Sequence, residues 1–200
     1  MGRRRTIDRG HLLDCAEQVI VRCGAANLTL EAVAIEAGIS KASVIYDYKT
    51  KKALIRALVE RRVAAEEHHV QQAVDSFAGA PNAKILGYVA AATRTFSDEE
   101  RAVGLNLCAA LAQDDAIREP VKKSILSTLE EIESGSTHPD GARLAFLALQ
   151  GIMLLDWLNL HQFEPGERDK IVRQIGWLAE RPPIPPSISD SASSIDLKPV

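Results

Sequence analysis

Residues 29–47 read TLEAVAIEAGISKASVIYD, and this stretch decides the fold. Leu30, Val33, Ala34 and Ala37 recur at helical spacing, Gly38 stops the run, and a second, very short helix fits residues 41–47. Gly38 has no Cβ, so it takes the left-handed conformation that ends a helix cheaply, and Ile39 then tucks under the turn. Ser40 and Thr29 are good caps for the second and first helices, because their hydroxyls accept from backbone N–H groups left without partners. Helix, glycine-containing turn and short helix make a helix-turn-helix. Its second helix would lie in the major groove of duplex DNA, leading with Ser40, Lys41, Ala42 and Ser43, whose small or polar side chains let the backbone come close.

On the N-terminal side, Leu12, Leu13, Ala16, Val19 and Ile20 mark one helical face, stopped by Gly24. On the other side, a helix begins near Thr50 and runs into the seventies through Leu54, Ala57, Leu58 and Val63. It opens Thr50-Lys51-Lys52 with Lys49 just before it, placing cations at the positive end of a helix dipole, where acids are normally favoured. That placement costs local stability and makes sense with a phosphate in reach, joined by the backbone N–H groups of the helix end. The alternative is a solvated lysine cluster.

Charge divides along the same line. The chain of 200 residues carries a formal net charge of -3. Residues 1–62 hold 12 Lys/Arg against 7 Asp/Glu, and residues 63–200 hold 12 against 20. A basic head on an acidic body suggests that the head meets a polyanion. Cys15, Cys23 and Cys108 are an odd number without framework spacing, which fits reduced thiols in a cytoplasmic protein. Arg3-Arg4-Arg5 is followed by no apolar segment, so no signal peptide is expected. The long apolar stretch 142–160 is interrupted by Arg143, Gln150, Asp156 and Asn159, which would be costly in lipid and point to a buried helix.

Strand and hairpin signals are nearly absent. Pro81, Pro120, Pro139 and Pro165 each stand near the start of an apolar-periodic stretch and predict helices over 82–96, 98–113, 117–133, 140–162 and 165–180. From Pro182 the chain reads PPIPPSISDSASSIDLKPV, a composition expected to be disordered. The fold class is therefore all-α. A three-helix helix-turn-helix domain over 1–52 is followed by a helical dimerisation bundle over 53–180, to which the family resemblance given below adds ligand binding, and a Pro/Ser-rich tail over 181–200. Residues 142–160 are apolar nearly all round, so that helix must be covered on more than one side. Leu155 and Leu158 are candidates for a surface paired with a second copy, Gly151 offers close approach, and Ile171, Ile175, Trp177 and Leu178 supply the neighbouring face. The alternative is a central core helix of a monomer.

Several fixed spacings occur in one block: Cys23-Gly24, Leu28-Thr29-Leu30, Val33-Ala34, Ala37-Gly38-Ile39-Ser40 and 46–54, YDYKTKKAL. Over about residues 5–60 the chain resembles the TetR family of transcriptional regulators. The resemblance implies that Thr29, Ser40, Lys41, Ala42, Ser43, Tyr46 and Lys51 occupy positions that contact bases or phosphates, Lys51 matching the phosphate-binding lysine at the start of the fourth helix. Two positions depart from the family pattern of Tyr two residues before His, here Ile45 and Asp47. Ile45 lacks a phosphate-reaching hydroxyl, and no phosphate contact is carried onto the anionic Asp47. Tyr48 stands where the family usually has Phe and is expected to pack the domain together.

The resemblance further implies a homodimer built from the last two long helices as a four-helix bundle. Its reading helices would stand ~34–36 Å apart on a pseudo-palindromic operator, with repression as the commoner role. It also implies a small effector in the body, expected to be mostly apolar. Tyr88, Phe96, Leu107, Cys108, Phe146, Met153 and Trp157 are the candidate walls, and Arg94, Asp156 and Asn159 are placed to orient it. Each of the walls reads more readily as core.

Other classes fare worse. Glu66-Glu67-His68-His69 contains one Glu-x-x-His, but a di-metal bundle needs a second copy and two more glutamates. No Gly-rich phosphate loop or nucleophile motif occurs, so neither enzyme, metal site nor cofactor is expected. A thiol sensor is disfavoured by the eight-residue spacing of Cys15 and Cys23, too far apart on one helix to bridge. An architectural DNA binder would leave the acidic body unexplained.

Overall fold

In the computed structural model, residues 8–164 and 166–182 are described, and their regular structure is entirely helical. The order is α1 (Arg9–Cys23), a 3-10 turn (Ala25–Asn27), α2 (Leu30–Glu36), α3 (Lys41–Asp47), α4 (Lys51–Asp75), α5 (Ala83–Ala91), α6 (Asp98–Gln113), α7 (Asp115–Gly135), α8 (Pro139–Trp157) and α9 (Glu167–Ala179). Among the described residues no helix is long and apolar enough to cross a membrane.

Caps account for most of the boundaries. Thr29 and Ser40 cap α2 and α3 with their hydroxyls, as expected, and the Thr50 hydroxyl caps α4. Asp8 does the same for α1, and Ser97 with Glu100 closes a reciprocal capping box on α6.

Three helices differ from expectation. Helix α8 stops at Trp157 rather than 162, because Asn159 adopts a left-handed φ of 50° and the Leu160 N–H turns back to the Leu155 carbonyl at 3.0 Å. Asparagine tolerates that conformation better than other side chains and so ends helices as glycine does. Helix α5 stops at Ala91 rather than 96, since the Ser97 box already begins the next helix. Helix α7 starts at Asp115, capped by Asp114, which leaves Pro120 inside the helix instead of near its start. The ring there removes one donor to the preceding turn. Pro139 opens α8 as expected, and Pro165 lies outside the described residues. So do Arg3-Arg4-Arg5 and, from residue 183, the tail.

Two apolar cores form. The first joins Leu12, Ala16, Val19, Ile20 and Leu28 to Val33, Val44, Leu54 and Leu58, and takes in Val103 and Leu107 of α6 and Ile117 of α7. Each fully buried Leu or Ile there contributes about 1.5–3 kcal/mol. The second lies in the body and joins Ile85, Ile132, Ala145, Phe146, Leu149, Val172 and Ile175. Helix α4 carries residues of the first core at its start and packs against α5 and α7 further on, so one continuous helix links head to body.

Close helix approach occurs at glycines the sequence did not single out. A Cβ on Gly87 would meet the Val74 side chain and lie 2.9 Å from the Val74 backbone nitrogen, and one on Gly141 would meet the Arg181 and Leu178 carbonyls. Gly151, expected to allow such approach, has nothing within 4 Å and faces outward.

Candidate nucleic-acid interface

The turn between α2 and α3 closes as its glycine requires. Gly38 has φ 63°, its N–H donates to the Ile35 carbonyl at 3.2 Å, and the Ile39 N–H reaches back to the Ala34 carbonyl at 3.0 Å. This paired closure sets the angle at which α3 leaves α2. Ser40 Oγ accepts from the Ser43 N–H at 3.2 Å and lies 2.8 Å from the Ser43 hydroxyl.

Helix α3 is pinned from behind. Val44 is fully buried and Tyr48 nearly so, its phenol pushed up in pKa by burial, as a packing role demands. Arg9 donates to Asp47 Oδ1 at 2.9 Å, tying the start of α1 to the end of α3. Asp47 is thereby occupied structurally, in keeping with its exclusion from phosphate contact.

The outer side of α3 presents Lys41, Ala42, Ile45 and Tyr46, the last 81% exposed. Ser43 is half-buried. Lys41 Nζ lies 2.7 Å from Glu31 Oε2, which sets the starts of α2 and α3 side by side. Both partners are exposed, so the pair is weak and readily exchanged for another anion. Thr29 is exposed while its hydroxyl accepts from the Ala32 N–H at 3.0 Å.

The lysine triplet is divided by the fold. Lys51 Nζ donates to the Ala26 carbonyl at 2.6 Å, linking the start of α4 to the 3-10 turn. Lys52 pairs with Asp114 at 2.8 Å and ties α4 to the cap of α7, the lysine holding the carboxyl below its usual range. Lys49 is exposed. Head and body are further joined by Asn106 of α6, whose Oδ1 accepts from the Ala25 N–H at 2.9 Å. Sequence patterning gave no sign of Asn106, since its partner lies 81 residues away.

The candidate ligand residues are only partly brought together. Tyr88, Phe96 and Met153 line a cavity of about 10 Å³ with Glu66, His69 and Arg168. Phe96 and Trp157 line an open cleft of about 720 Å³ beside it. Tyr88 packs edge-on against Phe146 with centroids 5.1 Å apart, and Phe96 against Trp157 at 5.8 Å. Phe146 is buried in the body core. Leu107 belongs to the head core, because its face of α6 turns toward α1, and Cys108 is half-buried on the same helix. Neither lines the small cavity or the cleft. The cleft is less apolar than expected, with Asp98, Arg101, Asp156, Asn159, Glu164 and Arg168 among its walls. Of the orienting groups, Arg94 is paired with Glu100 and Asp156 with Arg168. Burial pushes the Cys15 and Cys108 thiols up, the unreactive direction.

Residues 12–58 match the family described as bacterial regulatory proteins, tetR family, and residues 83–180 match the tetracyclin repressor-like C-terminal domain. No curated protein matches the chain by sequence. Among solved structures it is similar to a putative transcriptional regulator from Pseudomonas aeruginosa PAO1, at TM-score 0.63 and 20% identity over 85% of this chain and 89% of that one. A putative regulator from Streptomyces coelicolor A3(2) gives TM-score 0.70 and 18% identity over 86% and 98%. The multidrug binding protein EbrR complexed with ethidium gives 0.62 and 20% over 86% and 99%. These likenesses show the fold. With the two family domains matched in order along one all-helical chain, and a helix-turn-helix presented at its head, this protein belongs to the TetR family of DNA-binding transcriptional regulators.

Proposed function

We propose that the chain is a ligand-responsive repressor that binds a pseudo-palindromic operator as a homodimer. Residues 1–52 act as the reading head, 53–180 as the ligand-binding and dimerisation body, and 181–200 as a tail. The observation that carries the reading is the posture of α3, held from behind by Val44, Tyr48 and the Arg9–Asp47 pair while Lys41, Ala42 and Tyr46 face outward. Thr29, Ser40, Lys41, Ala42, Ser43 and Tyr46 contact the groove and its phosphates. Lys51 exchanges the Ala26 carbonyl for a phosphate, a charge-assisted and therefore stronger partner.

Pairing of two copies is supported by an apolar stripe on α8. Leu144, Leu147 and Leu154 are 46%, 50% and 49% exposed with Gly151 between them, and Trp177 of α9 is 54% exposed. Large apolar side chains gathered on one outer face favour covering by a partner. A pair built this way sets two reading helices ~34–36 Å apart, one turn of duplex.

An effector in the body is supported by the cleft, whose volume falls in the range used by small-molecule sites. EbrR, a multidrug binding protein complexed with ethidium, supports the same reading. The effector favours a body conformation in which the heads no longer match the operator, a population shift that requires discrimination between the two shapes. The working location is the cytoplasm, with the chromosome.

Selection of bound fragments from genomic DNA tests the reading. Recovery of inverted half-sites about one helical turn apart is expected. Failure to bind any duplex at modest salt would end it.

A further inference from the structure

Glu66 and His69 lie one turn apart on α4 and line the small cavity together with Tyr88, Arg94, Phe96, Met153 and Arg168. His69 Nε2 is sealed from solvent and has no hydrogen-bond partner. Buried polar atoms are almost always paired, so an orphan of this kind calls for a reason. The Glu66 carboxyl is pushed up in pKa chiefly by burial, opposed by His69 and Arg94 and reinforced by Glu100, with no hydrogen bond contributing. The neighbouring cations are engaged elsewhere. Arg94 pairs with Glu100, and Arg168 pairs with Asp156 while donating to the Ala92 carbonyl. An orphaned imidazole nitrogen and a carboxyl disfavoured by burial, one turn apart on α4, therefore face one space.

That space holds only a small chemical group, being near the minimum for a single water. Phe96 and Arg168 border both it and the 720 Å³ cleft, where Trp157 and Phe163 add flat apolar walls. Phe96 stands in the non-helical segment between α5 and α6, so its ring can turn without breaking a helix. In the cleft, Asp98, Asp156, Glu164 and Asp169 outnumber Arg101 and Arg168.

We propose that the effector is an organic amine, its protonated amino group donating to Glu66 and to the His69 Nε2 lone pair while its aromatic body lies in the cleft against Phe96 and Trp157. This rests on the reading that the body answers to a ligand. An ammonium has donors enough for both groups and gives Glu66 a cation of its own, the Arg94 on the same wall being paired with Glu100. An alcohol has a single donor and no charge. A carboxylate would meet Glu66 with like charge.

The test titrates the full-length protein, free of DNA, with naphthylmethylamine and with naphthylmethanol, followed by naphthalene fluorescence. The two probes share a shape and differ in charge. The amine is expected to bind at least about tenfold more tightly, the margin of a charge-assisted contact. Glu66→Gln, nearly the same shape as the native residue, should bring the amine down to the affinity of the alcohol. Trp157→Ala should weaken both probes together. Thermal melting confirms that each variant folds. Equal affinities in the native protein, no binding of the amine, or a preference that survives Glu66→Gln would overturn the assignment. The same preparation is tested on duplex fragments. Duplex binding without amine binding sinks the amine site and leaves the regulator reading standing. Amine binding without affinity for any duplex does the reverse.

Discussion

At the scale of single residues, Lys51 carries the sharpest expectation. Its ammonium now rests on the Ala26 carbonyl, a neutral acceptor 2.6 Å away. Lys51→Ala should weaken binding to every duplex alike and lower the salt slope by about one unit. Binding measured over a salt series decides this, and an unchanged slope would confine Lys51 to holding the 3-10 turn. Lys41→Ala or Ser43→Ala should instead alter the ranking of operators, by about 1–3 kcal/mol at the affected base pair. Competition between operator variants separates the two behaviours. The caps Thr29 and Ser40 were legible in the sequence because a cap and its N–H lie within three residues of each other. The Arg9–Asp47 bond was not, since 38 residues separate its partners.

At the scale of elements, α8 shows what periodicity leaves open. Its composition, apolar nearly all round, demands cover on more than one side. Composition does not say which side meets the protomer's own core. Ala142, Ala145, Phe146, Leu149 and Ile152 turn inward, and Leu144, Leu147 and Leu154 turn outward. Leu155 and Leu158, read from sequence as paired with a second copy, are half-buried within the protomer. Leu147→Glu is therefore the substitution expected to give monomers by light scattering, with helix content retained; a persisting dimer would remove α8 from the interface. The α4–α5 contact depends on Gly87, where an added Cβ would press on the Val74 backbone as well as its side chain. Gly87→Ala should destabilise the fold by about 1–3 kcal/mol in urea unfolding, the usual cost of overpacking.

At the scale of the whole molecule, α6 serves head and body together. Arg101, Ala102 and Leu105 border the cleft, while Val103 and Leu107 enter the head core and Asn106 holds the Ala25 N–H. Asn106→Ala leaves that donor without its partner and should cost about 1–3 kcal/mol. Hydrogen exchange at the Ala25 amide should quicken. The half-buried Glu66 adds a pH dependence. Its raised pKa means that the folded protein holds this proton more tightly than the unfolded chain does. The stability it contributes is full below the ordinary carboxylate range and is lost as pH rises through the elevated folded value. Glu66→Gln should accordingly melt higher than the native protein at neutral pH, and the difference should shrink on acidification. Melting curves at several pH values test the sign.

The amino-acid sequence by itself determined the helices of the head, their caps, the Gly38 turn and the family, because each is written in residues a few positions apart. It also determined that the body is helical. The tertiary structure decided what packs on what. It moved Leu107 from a ligand wall into the head core, sent Lys52 to Asp114, and set Glu66 beside an unpartnered His69 Nε2 on one cavity. Those outcomes turn on contacts between distant segments and on the rotation of each helix about its axis. Spacing along a chain constrains which residues share a helix face, and only packing settles where that face points.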